Sequence, residues 1–175
     1  ILKGIVFDLR SNPGGLLEEA VNVASIFLNE GVVVSTEGRD PSVKDVRMVK
    51  KIGHKLLDVP LVILINGASA SASEIVAGAI QDQKRGVVMG TRSFGKGSVQ
   101  TIAKVDDKQG VKLTIAQYMT PSGKKIQALG INPDIKLKNL GPNWIKSARE
   151  NQFIREKDLR NHLTATIETE EEKIL

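Results

Sequence analysis

Apolar residues are spaced in two different ways along the first 137 positions, and the spacing predicts the elements. LKGIVFDL (2–9) is mostly apolar and partly β-branched, and the turn-dense RSNPGG bounds it, so it reads as a strand. LLEEAVNVASIFL (16–28) places apolar residues at 17, 20, 21, 24, 27 and 28, one face of a helix, with Gly31 positioned to end it. Short β-like runs follow at 32–36 and 46–50, separated by a polar loop containing Pro41. VPLVILI (59–65) is continuously apolar, as expected of a strand covered on both faces. In NGASASASEIVAGAIQD a helix is predicted from Ser71 onward, burying Ile75, Val76, Ala79 and Ile80. GVVMG (86–90), SVQTIAKV (98–105) and VKLTIAQYM (111–119) read as strands, the last two joined by the turn DDKQG. After the turn TPSGK, residues 128–137 read as a loop ending in a short strand. Beyond GPNW the chain becomes polar, and NWIKSARENQFI and EKDLRNHLTATI are predicted as amphipathic helices. The order of elements implies α/β layers around one core over residues 1–140, followed by a charged helical extension over 141–175.

Composition narrows this picture. The chain has 175 residues, 41% hydrophobic but only 3% aromatic, so its core is built from Val, Ile, Leu and Ala. No run approaches the roughly 18 apolar residues of a membrane-spanning helix. The net charge of +5 is dispersed and not interleaved with aromatics, which favours a solvated surface over a nucleic-acid interface. The absence of cysteine excludes disulfides, thiol catalysis and Cys-ligated zinc. The chain opens on a buried-looking strand without an initiator Met, which points to a fragment of something longer.

GTRSFGKG (90–97) nearly spells a phosphate-binding loop, but its eighth position is Gly97, so the magnesium hydroxyl is missing. The β-branched continuation opens no helix to face a phosphate. Ser93 and Lys96 have the S-x-x-K spacing of penicillin-binding enzymes, again without the helix that this motif begins. A stronger partner for Lys96 lies in ASASASE. Ser71 stands where an apolar strand gives way to a helix, and with Glu74 it matches the capping box S-x-x-E. A serine there can cap, or it can be a nucleophile served by the amides and dipole of the helix terminus. Small neighbours, Ala70 and Ala72, leave room for a substrate backbone. The only histidines, His54 and His162, sit in polar segments and read as surface residues. Lysine serves as a base only when its amine is neutral, which burial favours. Lys96, between glycines and flanked by buried-looking strands, is the candidate, with Gln100 placed to orient the amine without adding charge. NPGG (12–15) offers glycine amides at a strand-to-helix turn, which can form an oxyanion site or simply a tight turn.

Taken together, DLRSNPGG, NGASASASEIVAGAIQD, GTRSFGKGSVQ and GINPD, in this order over about residues 1–137, resemble the C-terminal processing peptidases, or tail-specific proteases. The resemblance implies a crotonase-like (ClpP/crotonase-type) α/β fold, a twisted sheet covered by helices, here incomplete at its N-terminal side. It makes Ser71 the nucleophile, Lys96 the general base and Gln100 the group that holds the lysine. The oxyanion hole would use the amides of Ala72 and of either Gly14 or Gly15. No metal or organic cofactor is implied. The implied partners are protein substrates with exposed, often apolar C-terminal tails and a PDZ domain of the full-length chain; a homo-oligomer is compatible with this, and nucleic acid is not implied. The implied location is the bacterial periplasm or the outer face of the membrane. Two rival readings stand beside it: a non-catalytic interaction scaffold, and an acyl-CoA-processing enzyme on the same fold.

Overall fold

The computed structural model describes residues 2–40, 44–51, 53–137 and 154–164. Its first sheet is parallel. Strand β1 (Ile5–Asp8) pairs with β4 (Leu61–Ile65), β4 with β5 (Val87–Gly90), and β5 with the short β8 (Ile135–Lys136). The second sheet is antiparallel, in the order β3 (Lys44–Met48), β2 (Val32–Gly38), β7 (Gly110–Met119), β6 (Ser98–Lys104).

Two helices join these sheets. Helix α1 (Leu17–Phe27) turns Ala20, Val21, Ala24 and Phe27 inward, and its first turn carries Glu18 and Glu19, which suit the positive end of the helix. Helix α2 (Ala72–Asp82) is buried all along residues 72–80, as expected of a helix apolar on every side. It packs on α1, β2 and β5. Ile75, Val76, Ala79 and Ile80 are all buried, as their spacing predicts, and join Ile63, Ile65, Val88, Val33 and Val34 in one core.

The predicted strands are found, each within a few residues of its predicted bounds. The tail differs. Of the predicted helix starting at Glu156, the described residues hold one 3-10 turn, Glu156–Asp158, followed by a turn; the segment makes only short-range turns of its own and is bonded at both ends to the body of the protein. The other predicted tail helix lies almost wholly outside the described residues.

The connection most relevant to function is the parallel register. Strands β1, β4 and β5 are adjacent and point the same way, so the segments that follow them leave the sheet at one edge. Those segments carry NPGG, Ser71 and Lys96 respectively. Ligand sites of open α/β sheets form at this edge, beyond the carboxyl ends of the strands.

Candidate functional site

The turn from β4 into α2 is held by side chains on both sides. Ser69, wholly buried, donates its hydroxyl to Leu9 O at 2.7 Å and accepts the Asn66 amide at 3.0 Å. Asn66 Oδ1 accepts the amides of Ser11 and Ala68. Ala70 N–H donates to Asn12 O at 3.0 Å, and Ser73 Oγ donates to the same carbonyl at 3.1 Å. The NPGG loop is thereby fastened to the turn that carries Ser71.

Ser71 itself sits at φ 55°, ψ −116°, a conformation that L-residues rarely adopt and that costs of the order of 1–3 kcal/mol. Its backbone amide donates to Glu74 Oε2 at 2.8 Å, while the Glu74 amide donates to Ser71 O at 2.9 Å. The Ser71 hydroxyl makes no side-chain cap hydrogen bond. The local turn is therefore secured through Glu74 and the backbone, with Ser71 half-buried.

Glu74 does more than close the helix start. Its side chain is 0% exposed, and its carboxylate accepts four hydrogen bonds. Oε1 accepts Ser93 Oγ at 2.6 Å and Gly95 N at 2.7 Å; Oε2 accepts Lys96 N at 2.9 Å and Ser71 N at 2.8 Å. One carboxylate oxygen thus receives the backbone amides of both Ser71 and Lys96. Burial pushes the Glu74 carboxyl up from its ordinary value, and the hydrogen bonds from Ser93, Gly95, Ser71 and Lys96 pull against that rise. All four partners are donors, so the ionised form is the one that this geometry satisfies.

The same contacts settle the standing of Ser93. Its buried hydroxyl donates to Glu74 and accepts the Ile131 amide at 2.6 Å, so it braces the loop and is not presented to a substrate. The phosphate-loop alternative fails as the sequence implies, because β6 and not a helix follows Gly97.

On the NPGG side, Gly14 lies against the turn that carries Ser71. A Cβ there would stand 2.6 Å from Ala70 O and 2.8 Å from Ala72 N, at φ 96°, so no other residue fits without movement. The Gly14 amide donates to Asn12 Oδ1 at 2.9 Å. The amides of Gly15 and Ala72, by contrast, have no hydrogen-bond partner among the described residues. Nothing lies within 4 Å of a Cβ built on Gly15.

Lys96 is exposed, where its setting between buried-looking strands leads one to expect a covered amine. The reason lies in the neighbouring hairpin: β6 and the first six residues of β7 are themselves largely exposed, so among the described residues nothing roofs the amine. No hydrogen bond joins its Nζ to Ser71 Oγ or to the exposed Gln100. The backbone positions of the pair are brought together; their reactive atoms are not engaged. His54 is exposed, and His162 Nδ1 lies 3.1 Å from Leu159 O; neither contacts Ser71.

Two residues that sequence reasoning missed complete the site. Asn12 occupies the Gly14 amide, and Gln127, 0% exposed, accepts the Gly97 amide at 2.9 Å. Asn12 stands inside a motif already singled out. No local pattern marks Gln127, which reaches the site only through the fold.

The sequence model of peptidase family S41 matches residues 2–137. The carboxy-terminal-processing protease of Bartonella bacilliformis is 48% identical over 170 residues, covering 97% of this chain and 38% of that protein. The chloroplastic C-terminal processing peptidase of Tetradesmus obliquus is 41% identical over 139 residues, covering 77% of this chain and 28% of that protein. Among solved structures, a photosystem II D1 C-terminal processing protease matches at a TM-score of 0.71 and 40% identity, over 78% of this chain and 35% of that one. The likeness carries the crotonase-like α/β fold with it. The chain therefore spans between about a quarter and two-fifths of the length of these relatives.

Proposed function

The chain belongs to peptidase family S41, and from that premise we propose that it is the catalytic core of a serine endopeptidase that cleaves proteins near their C-termini through a Ser71–Lys96 dyad. The observation that carries this reading is the shared acceptor: Glu74 Oε2 receives the amides of both residues, tying the nucleophile turn to the loop that bears the base.

In the reaction, Ser71 Oγ attacks the scissile carbonyl carbon while the neutral amine of Lys96 takes the hydroxyl proton. The carbonyl oxygen, now negative, accepts hydrogen bonds from the amides of Ala72 and Gly15, which have no partners among the described residues; the Gly14 amide is instead bonded to Asn12. Collapse of the tetrahedral species breaks the C–N bond, and Lys96 returns its proton to the leaving amine. Water then attacks the acyl-enzyme, giving a proton to Lys96 as it adds, and Ser71 leaves with that proton. Gln100 orients the amine. No step calls for a metal or an organic cofactor. The remainder of the longer protein supplies the cover over Lys96 that these residues lack. The substrates are proteins with accessible, often apolar C-terminal tails, gathered by a PDZ domain of the full-length chain outside the cytoplasm, as the family resemblance implies.

Lys96→Ala in the full-length protein is expected to abolish cleavage of an unfolded substrate while leaving circular dichroism and the melting curve unchanged. Normal turnover by that variant would refute the dyad. Labelling of Ser71 by a serine-directed inhibitor separates the peptidase from a non-catalytic scaffold, and turnover of a thioester without dependence on Ser71 would favour the acyl-CoA alternative.

A further inference from the structure

The segment 154–164 lies beyond the residues matched by the family, yet it touches the loop that carries Lys96. Its hydrogen bonds run to that loop and to the chain that supports it. The Glu156 amide donates to Phe94 O at 3.2 Å. The Glu156 carboxylate accepts Gln127 Nε2 at 3.1 Å, and the same nitrogen donates to Leu163 O at 3.1 Å. Gln117 Nε2 donates to Thr164 O at 3.3 Å. On its other side the Gln127 amide meets the loop directly, since Oε1 accepts the Gly97 amide at 2.9 Å. Gly97 packs so closely on the Gln127 backbone that no side chain fits there.

We propose that Gln127 is a positioning residue for the base loop and that the strap 154–164 is its clamp, holding the side-chain amide in the one orientation that serves Gly97. The chemistry of the amide decides that orientation. Gly97 N–H requires an acceptor, whereas Leu163 O and the Glu156 carboxylate both require a donor, so Oε1 must face the loop and Nε2 the strap. A side chain lacking the acceptor half leaves the buried Gly97 amide unpaired, and one lacking the donor half loses both bonds to the strap. Lys96 stands between two such grips: its own amide is held by Glu74 and that of the next residue by Gln127. Loss of the strap contact frees the Gln127 amide to turn, and the Lys96 stem loses one of the two supports that set its direction. Misplacement of a catalytic group by about 1 Å is enough to cost about a hundredfold in rate.

This inference rests on the reading of Lys96 as the base, and the test separates the two. Four variants of the full-length protein are compared with wild type in cleavage of an unfolded protein substrate. Glu156→Ala removes one acceptor of the clamp at a half-buried position. Glu156→Gln keeps an acceptor oxygen. Gln127→Glu keeps the acceptor for Gly97 but sets a second carboxylate against Glu156, and Gln127→Glu combined with Glu156→Gln relieves that repulsion. The expected result is a fall in kcat of about ten- to a hundredfold for Glu156→Ala and Gln127→Glu, with KM within about twofold, near-normal kcat for Glu156→Gln, and partial recovery in the double variant. Wild-type kcat in both Glu156→Ala and Gln127→Glu, with Lys96→Ala inactive, overturns the clamp and leaves the dyad standing. Wild-type turnover by Lys96→Ala removes the dyad itself. A fall in kcat for Glu156→Gln equal to that of Glu156→Ala also overturns the clamp, since the hydrogen bond would then not be what matters.

Discussion

At Gly14 and Gly15 two neighbouring glycines have different duties. Gly14 is confined by the backbone of Ala70 and Ala72 and holds a positive φ, so Gly14→Ala is expected to destabilise the chain by at least about 1–3 kcal/mol. Gly15 faces open space and has no such φ, so Gly15→Ala is expected to change stability by less than about 1 kcal/mol. Urea unfolding of the two variants checks both, and equal losses would contradict the geometry. The sequence displays NPGG but does not say which amide is free. That depends on Asn12, whose side chain reaches over one residue to take the amide of Gly14. Ser71 and Lys96 stand out in the sequence as candidates because their neighbours form patterns. The second duty of Glu74 was hidden, because S-x-x-E describes only its local bond, while the contacts to Ser93, Gly95 and Lys96 span 19 to 22 residues.

Helix α2 buries a carboxyl group whose four hydrogen-bond donors only partly offset its removal from water. The Glu74 carboxyl is raised by burial, so the folded chain binds that proton more tightly than the unfolded chain. The stabilising contribution of the proton is fully present below about pH 4.5, the unfolded value, and is lost as pH rises through the folded value. The stability of wild type relative to Glu74→Gln is therefore expected to fall in urea titrations as pH rises from about 4.5 through the raised folded value. A constant difference would show that Glu74 titrates alike folded and unfolded. Catalysis should move the other way, because Gln at 74 turns an amide NH2 donor toward two of the four donors it must satisfy, and kcat is expected to drop by at least about tenfold. At this scale the sequence reading succeeded wherever apolar spacing was continuous, as in β4, β5 and both helices. It failed for the tail, where Glu156–Asp158 is a single 3-10 turn: helical spacing was present, but the backbone of Glu156 is committed to Phe94 and that of Leu163 to Gln127.

On the molecule as a whole, the hairpin of β6 and β7 presents an apolar face. Ala103 pairs with Val111 and Thr101 with Leu113, so these four share one side, and Val111, Leu113 and Ile115 are each about half exposed. Adjoining apolar side chains of this exposure form a patch of the kind that apolar probes recognise. The 175-residue chain alone is accordingly expected to bind a dye specific for exposed apolar surface, and Leu113→Lys with Ile115→Lys to reduce that binding while leaving secondary structure intact; unchanged dye binding would place the apolar surface elsewhere. The same exposure accounts for the open setting of Lys96, which its sequence context could not reveal because cover is a property of distant chain.

The order of strands in the parallel sheet has a further consequence for biosynthesis. The three loops of the site follow β1, β4 and β5, so a nascent chain has no assembled constellation until the ribosome has released the sequence through Gly97 and these strands have paired. Pairing of these strands, and not translation of any one motif, is what brings the three loops together.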